Sequence, residues 1–121
     1  DIDGCIEKTI KQNINACVSV NEVNKNPYWM FKIDDGDYLQ PVMDELVANR
    51  RQELPKVYAV NGAVYVANCG WLMTHKSFVT SETMAYIMPN ERSIDIDTEL
   101  DFVICEALIA KHEYMRSDCL E

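Results

Sequence analysis

The sequence predicts a domain of mixed α/β or α+β class. Residues 57–67 form a long β-rich run, and residues 98–114 place apolar side chains at the i, i+3, i+4 spacing of a helix. Predicted strands and helices alternate along the 121 residues without a repeat or a linker. Because 48% of the residues are hydrophobic, there is material for one ordinary core, and we expect residues 1–121 to fold as a single domain.

The first part of the chain predicts a helix followed by a strand. Residues 2–12 carry one apolar stripe at four-residue spacing, which predicts a short helix. The stripe consists of Ile2, Cys5, Ile6 and Ile10. Residues 16–20 (ACVSV) are apolar and β-rich, and they predict a buried strand.

A β-hairpin is predicted over residues 28–39. The run YWMFKI is followed by the turn sequence DDGD and then by Tyr38-Leu39. We expect Asp35-Gly36 to supply the positive φ that a tight hairpin turn needs. Residues 42–56 are polar, and we expect them to be irregular.

The second half predicts further strands and helices. Asn61-Gly62 interrupts the strand at 57–67. This leaves two alternatives, a tight hairpin between two strands or a bulge at a bend in one strand. Thr98 and Asp101 have capping-box spacing at the start of the last helix. The other predicted elements are a helix at 70–76, a strand at 84–88 with Tyr86 in the core, and an extended segment at 93–96.

Charge and cysteine content exclude several functional classes. The net charge of −9 provides no basic surface for nucleic acid or for an anionic membrane. No apolar run reaches the ~18 residues of a transmembrane helix. Five cysteines without C-x-x-C spacing fit neither a disulfide framework nor a zinc knuckle. We therefore expect a cytoplasmic protein in which Cys17 and Cys69 are core residues.

Asp95 and Asp97 are the strongest candidates for chemistry. On an extended backbone alternate side chains share a face, so the two carboxylates would repel each other unless a cation lay between them. A divalent ion such as Mg2+ fits, because it takes one or two carboxylates together with substrate phosphate oxygens. The alternative is structural: Asp97 or Thr98 caps the following helix, and Asp95 is an exposed strand residue.

Several collinear segments carry a family resemblance. ERSIDIDTELD is preceded by LPKVYAVNGAVYVA and MAYIMP, and NPYWMFKIDDGDYLQP and RRQELP lie in the middle of the chain. Together they make essentially the whole chain resemble the C-terminal half of the N-acylneuraminate cytidylyltransferases. The resemblance implies a Rossmann-like, three-layer α/β nucleotidyltransferase fold. It also implies a protruding β-hairpin region, about residues 27–76, through which two copies form a homodimer.

The resemblance implies roles for individual residues. Asp95 and Asp97 match the aspartates that hold a catalytic Mg2+, and Arg51 matches an arginine that reaches the acceptor sugar from the neighbouring subunit. The other implied substrate-binding residues are Asn61, Gly62, Tyr65 and Phe78. Core packing is the alternative for Tyr65 and Phe78, and an exposed ion pair is the alternative for Arg51.

The implied reaction transfers CMP from CTP to a nonulosonic acid and releases pyrophosphate. Trp29 stands near a position where some sialic-acid enzymes carry a lysine, so sialic, legionaminic and similar acids are all candidate acceptors.

The family's Gly/Arg/Lys-rich loop for the CTP phosphates has no counterpart here, and we expect a fragment that is inactive alone. The alternatives are a non-catalytic oligomerisation or sugar-binding module, and a sister cytidylyltransferase for 3-deoxy-manno-octulosonate, which RRQ-x-LP and NGAVY disfavour.

Overall fold

The described residues belong to two structural units. The structure is a computed structural model, and it describes residues 1–43 and 55–118. The first unit consists of Asp1–Asn21 and Val60–Glu121, and the second of Glu22–Ala59.

Helices and strands are mixed along the chain, which confirms the α/β class. Their order is α1 (Ile2–Lys11), β1 (Ala16–Glu22), β2 (Phe31–Ile33), β3 (Leu39–Pro41), β4 (Tyr58–Ala67), α2 (Cys69–His75), β5 (Thr83–Ile87) and α3 (Glu99–Asp118). Short 3-10 turns occur at Pro27–Trp29 and Asn90–Arg92. Each helix and strand that the sequence predicts within the described residues is present, with two differences. The first hairpin strand begins at Phe31 and not at Tyr28, because Pro27–Trp29 form a 3-10 turn, and the extended segment at 93–96 has no regular structure. The expectation of irregular structure for 42–56 lies mostly outside the described residues.

The strands β4, β1 and β5 form a sheet in that order. β1 and β5 are parallel, and Ala16–Val20 pair in register with Thr83–Ile87. β1 has a neighbour on each edge, which pairs its backbone on both sides. Residues 16–20 are at most 7% exposed, so both faces of the strand are also covered. An uninterrupted apolar run is typical of such a central strand, as the sequence ACVSV predicts.

β4 runs antiparallel to β1 and bends at Gly62. The main-chain N–H of Asn68 donates to the Asn15 carbonyl at 2.8 Å, and the N–H of Val64 donates to the Ser19 hydroxyl. Residue numbers therefore rise along β1 as they fall along β4. Gly62 has a φ of 74°, which is favourable for glycine and strained for other residues. β4 continues through this position. The alternative of a bend in one strand is therefore confirmed, and the hairpin is excluded.

Ser19 is a fully buried polar side chain in the middle of β1. Its hydroxyl donates to Oδ1 of Asn61 at 2.6 Å and accepts from the N–H of Val64 at 2.8 Å. A hydroxyl in a core must be hydrogen-bonded to be tolerated. These two bonds satisfy it, and they connect β1 to β4 through a side chain.

Helix α1 packs on the sheet through small side chains. The sulfur atoms of Cys5 and Cys17 lie 3.3 Å apart, and burial, together with the hydrogen bond to Cys17, raises the pKa of Cys5 to about 12. A Cβ atom on Gly4 would lie 2.6 Å from the Tyr86 hydroxyl, so glycine permits this close approach. The core positions predicted for Cys17 and Tyr86 are confirmed. The prediction for Cys69 is wrong, because it begins α2 and is exposed.

Both long helices leave apolar side chains exposed. Ile2 and Ile10 of α1 are 63% and 73% exposed, and Leu100 and Tyr114 of α3 are 68% and 69% exposed. The predicted helices are confirmed, but the described residues cover only part of their apolar faces. None of the described helices is long and apolar enough to cross a membrane.

The second unit contains the predicted hairpin. β2 and β3 are antiparallel, with Lys32 opposite Gln40. The positive φ lies at Asp37 (64°) and not at Gly36, which corrects the prediction for Asp35-Gly36. The reason is the side chain of Asp34, whose Oδ1 accepts the main-chain N–H groups of Gly36 (2.9 Å) and Tyr38 (3.0 Å). These bonds set the turn, and the hydrogen bonds from Tyr38 and Gly36 lower the pKa of Asp34.

A reciprocal cap begins α3, which confirms the capping-box prediction. The carboxylate of Asp101 accepts from the Thr98 hydroxyl (2.7 Å) and from the Thr98 N–H (2.9 Å), and the Asp101 N–H donates to the Thr98 hydroxyl (3.2 Å). The hydrogen bonds from Thr98 hold the pKa of Asp101 below its ordinary value of 3.8. The ionised carboxylate is therefore the form that caps the helix.

We expect Asp101→Asn to destabilise the chain in a pH-dependent manner. Since folding lowers the pKa of Asp101, its stabilising contribution is present above pH 3.8 and is lost as pH falls through the lower folded-state pKa. Thermal unfolding followed by circular dichroism should show a lower Tm for the variant near neutral pH and a smaller difference in acid. Glu106→Gln removes an equal charge from the exposed middle of α3, and an equal effect of this control would contradict the account.

We also expect Ser19→Ala to lower the free energy of unfolding by about 1–3 kcal/mol, because buried polar groups of Val64 and Asn61 lose their partner. Urea denaturation measures the change. Ser81→Ala, at an exposed position, is the matched control and should change stability by less than about 0.5 kcal/mol. If the two variants lose equal stability, Ser19 does not have the role described.

Candidate functional site

The segment that follows β5 brings Asp95 to the bend in β4. Residues 93–97 follow the carboxyl end of β5 and have no helix or strand structure. A Cβ atom placed on Gly62 would lie 3.9 Å from Oδ2 of Asp95. The Asp95 carboxylate is therefore close to Gly62, at a distance that would be ordinary van der Waals contact for a Cβ atom there.

The side-chain amide of Asn61 connects the strands to this segment. Its Oδ1 accepts from the Ser19 hydroxyl at 2.6 Å and from the N–H of Ala63 at 3.2 Å. Its Nδ2 donates to the Ser93 hydroxyl at 3.0 Å and contacts the Met88 sulfur at 3.4 Å. Asn61 thus joins β1, β4 and the residues that lead to Asp95.

Asp95 and Asp97 provide two exposed carboxylates. Neither carboxylate forms a hydrogen bond or ion pair with the part of the chain that the structure describes. The N–H of Asp97 donates to Asp101 at 3.2 Å, and the Asp101 carboxylate is used in the helix cap. No cluster of three Asp, Glu, His or Cys side chains suited to a metal occurs among residues 1–43 and 55–118. Two carboxylates are nevertheless what Mg2+ often takes from a protein when substrate oxygens and water complete its coordination.

The nearby cation Arg92 is engaged elsewhere. Its guanidinium forms a two-pronged ion pair with the Asp1 carboxylate, at 2.9 Å from Nε and 3.0 Å from Nη2. This pair connects the start of α1 to the turn before Ser93. It also means that Arg92 does not neutralise Asp95 or Asp97, so the negative charge of the two aspartates remains available to an added cation.

Tyr65 and Phe78 form an aromatic pair at the surface. Their ring centroids are 5.3 Å apart and the rings are tilted by 57°, a favourable arrangement for aromatic side chains. Tyr65 is 43% exposed, and Phe78 is half-buried. The Thr83 hydroxyl donates to the Phe78 carbonyl at 2.7 Å, which anchors this residue. The pair therefore offers an apolar surface and is not part of the closed core.

The structure brings together only some of the residues that the sequence singled out. Asn61 and Gly62 are adjacent in β4, the Asp95 carboxylate lies close to Gly62, and Asp97 follows on the same segment. Tyr65 contacts Phe78. Arg51 lies outside the described residues.

Sequence reasoning missed Ser19 and Ser93, which hold the Asn61 amide. A hydrogen-bonding role for Ser19 could have been predicted, because a hydroxyl within the buried run ACVSV must find a hydrogen-bond partner. Ser93 gives no comparable indication, since serine beside a charged segment is typical of any exposed loop.

Comparison with known proteins finds relatives that are named as a cytidylyltransferase, a CMP-sugar acid synthase and a flagellin modification protein. No protein-family model matches it. It is 34% identical over 102 residues to the N-acylneuraminate cytidylyltransferase of Streptococcus agalactiae serotype V, covering 84% of this chain and 25% of the relative. It is 31% identical over 96 residues to the CMP-N,N'-diacetyllegionaminic acid synthase of Legionella pneumophila, covering 78% and 41%.

A third relative is the post-translational flagellin modification protein B of Campylobacter coli, with 30% identity over 108 residues, 88% of this chain and 45% of the relative. The chain thus spans about a quarter of the streptococcal protein's length and less than half of the other two. Over most of its length, the chain is therefore homologous to proteins named N-acylneuraminate cytidylyltransferase and CMP-N,N'-diacetyllegionaminic acid synthase.

Proposed function

We propose that this chain is part of a CTP-dependent enzyme that activates a nonulosonic acid. Relatives are named for N-acylneuraminate and for N,N'-diacetyllegionaminic acid. The observation that carries the proposal to this chain is the approach of the Asp95 carboxylate to Gly62, with Asp97 two residues further on. The reaction would join the CMP of CTP to the anomeric hydroxyl of the sugar acid and release pyrophosphate.

In this proposal Asp95 and Asp97 hold Mg2+. Their exposed carboxylates are the oxygen ligands that a hard cation prefers, and the described residues do not neutralise them. When bound, Mg2+ would lower the pKa of the sugar hydroxyl and balance charge on the α-phosphate. The contribution of the chain is to place the segment that carries Asp95 next to the bend in β4.

The acceptor sugar would contact the surface near Tyr65 and Phe78. The exposed aromatic pair suits the acyl-amino end of such a sugar, and the main chain at Asn61 and Gly62 would line the same pocket. By the family resemblance, Arg51 would pair with the sugar carboxylate, since a guanidinium matches a carboxylate in a two-pronged arrangement. Arg51 would come from the second copy of a homodimer formed through residues 27–76. Sialic and legionaminic acids both fit this description.

The activity belongs, in this proposal, to a longer protein. The chain spans a quarter of its streptococcal relative, and its four glycines include no phosphate-binding loop pattern. We therefore expect the 121-residue chain alone to release no pyrophosphate from CTP and a nonulosonic acid. The free thiols of Cys5 and Cys17 agree with a cytoplasmic location, where thiols stay reduced.

We expect the 121-residue chain to bind Mn2+, used as a paramagnetic substitute for Mg2+, at Asp95 and Asp97. In NMR spectra, low concentrations of Mn2+ should broaden the amide signals of Gly62 and Asp95 first. Asp95→Asn should weaken Mn2+ binding by about tenfold or more, because it removes a charged ligand.

The hairpin provides a matched control for this measurement. Asp35 and Asp37 have the same one-residue separation and are exposed, so Asp35→Asn/Asp37→Asn changes the net charge without touching the proposed site. The double variant should leave the broadening at Gly62 unchanged. Equal broadening around residues 35–37 and 95–97 would mean only diffuse attraction to an acidic chain, and the proposed metal site would be wrong.

A chimeric enzyme tests the reaction itself. We expect the streptococcal relative to retain synthesis of its CMP-sugar when its matched segment is replaced by the corresponding residues of this chain. Asp97→Asn in the chimera should lower kcat by about 100-fold or more, because a metal ion supplies several kcal/mol of transition-state stabilisation.

Glu106→Gln is the control for the chimera, since it removes a charge from an exposed position of α3, nine residues after Asp97. It should leave kcat within about twofold of the unmodified chimera, as most surface substitutions do. A correctly folded chimera that remains active with both Asp95→Asn and Asp97→Asn would refute the proposed role of the aspartates.

A further inference from the structure

We infer that Asn61 is a positioning residue for Asp95, acting with Ser19 and Ser93, and that its amide is not a ligand of the acceptor sugar. The inference rests on the proposed function in one respect, because it takes Asp95 as a metal ligand. It departs from the family resemblance, which implies substrate contact for Asn61.

The hydrogen-bonding capacity of the Asn61 amide is fully used within the chain. A carboxamide has two N–H donors and one oxygen with two lone pairs. The oxygen accepts from Ser19 and Ala63, and the nitrogen contacts the Ser93 hydroxyl and the Met88 sulfur. A sugar could bind this amide only by displacing one of these partners. The weakest of them is the sulfur, at 3.4 Å.

Ser19, which donates to the Asn61 oxygen, lies in the core. Ser19 is 0% exposed, lies in the central strand, and accepts the Val64 N–H at 2.8 Å. Its donated bond to Asn61 is the shorter of its two donor contacts, 2.6 Å against 3.2 Å to the Val64 carbonyl. The Asn61 oxygen is therefore held by a side chain that cannot move without disturbing the sheet.

Ser93, on the other side of Asn61, connects this amide to the segment that carries Asp95. The Ser93 hydroxyl accepts from Asn61 at 3.0 Å and donates to the Pro89 carbonyl at 2.8 Å. Ser93 is two residues before Asp95, in a segment without helix or strand structure. The Ser93 N–H donates to the Asn90 carbonyl at 3.1 Å, at the end of the preceding 3-10 turn, and the bond from Asn61 ties the segment to β4 next to Gly62.

The two possible roles of Asn61 predict different results when no sugar is present. A positioning residue affects the metal site in the absence of substrate, whereas a sugar ligand does not. We expect Asn61→Ala and Ser93→Ala to bind Mn2+ about tenfold more weakly than the unmodified chain, because residues that orient metal ligands affect affinity to this extent. Electron paramagnetic resonance of free Mn2+ measures the affinity.

Conservative and remote substitutions serve as controls. Ser93→Thr keeps the hydroxyl, and we expect Mn2+ affinity within about twofold of the unmodified chain. Asn24→Ala and Ser81→Ala change exposed residues of the same types, and neither should alter Mn2+ binding. Thermal unfolding of every variant verifies that a weakened affinity is not a consequence of unfolding at the assay temperature.

A second readout needs no metal. In the unmodified chain, the side-chain amide protons of Asn61 should exchange slowly with solvent, and Ser93→Ala should accelerate the exchange. If the unmodified chain binds Mn2+ through Asp95 but Asn61→Ala and Ser93→Ala bind it equally well, the inference is overturned. If the unmodified chain shows no such binding, the proposed metal site fails separately, and fast exchange of the Asn61 amide then overturns the inference as well.

Discussion

A buried hydroxyl determines much of the geometry of the candidate site. Ser19 lies in the central strand, where a polar atom without a hydrogen bond would be costly. Its partners are the N–H of Val64 and the oxygen of Asn61. Asn61 lies next to Gly62, whose positive φ lets β4 continue through a bend. The Asp95 carboxylate lies close to this bend, and Ser93 on the same segment is bonded to Asn61. The packing of the core and the position of Asp95, a candidate metal ligand, therefore depend on one set of contacts.

The exposed apolar surface of the chain is typical of one part of a larger assembly. Apolar side chains on α1 and α3 are exposed among the described residues. Because burial of apolar area is the main favourable term in folding and association, such faces favour contact with further protein. The chain spans only part of each relative described above. Both facts favour the proposal that these residues contribute a metal site and an acceptor surface to an activity that the isolated chain lacks.

Local chemistry made most of the elements predictable from the sequence. The apolar spacing of α1 and α3, the Thr98–Asp101 cap and the interruption of β4 at Asn61-Gly62 each follow from short-range rules. Tertiary contacts decided the rest. The Asp34 side chain moved the positive φ of the hairpin to Asp37, and the position of Cys69 at the start of α2 left it exposed. In the site, Asp95 and Gly62 were identified, but Ser93 became evident only once its hydroxyl was seen to meet Asn61.

The most direct test of the central claim is an X-ray structure of the chain with Mn2+, in which anomalous scattering locates the metal. The account predicts a single strong peak bound by the carboxylates of Asp95 and Asp97, about 2.1 Å from their oxygens, with the Asn61 amide still bonded to Ser19 and Ser93. A peak elsewhere on the acidic surface with none at these aspartates would contradict it, as would an Asn61 side chain turned away from Ser93.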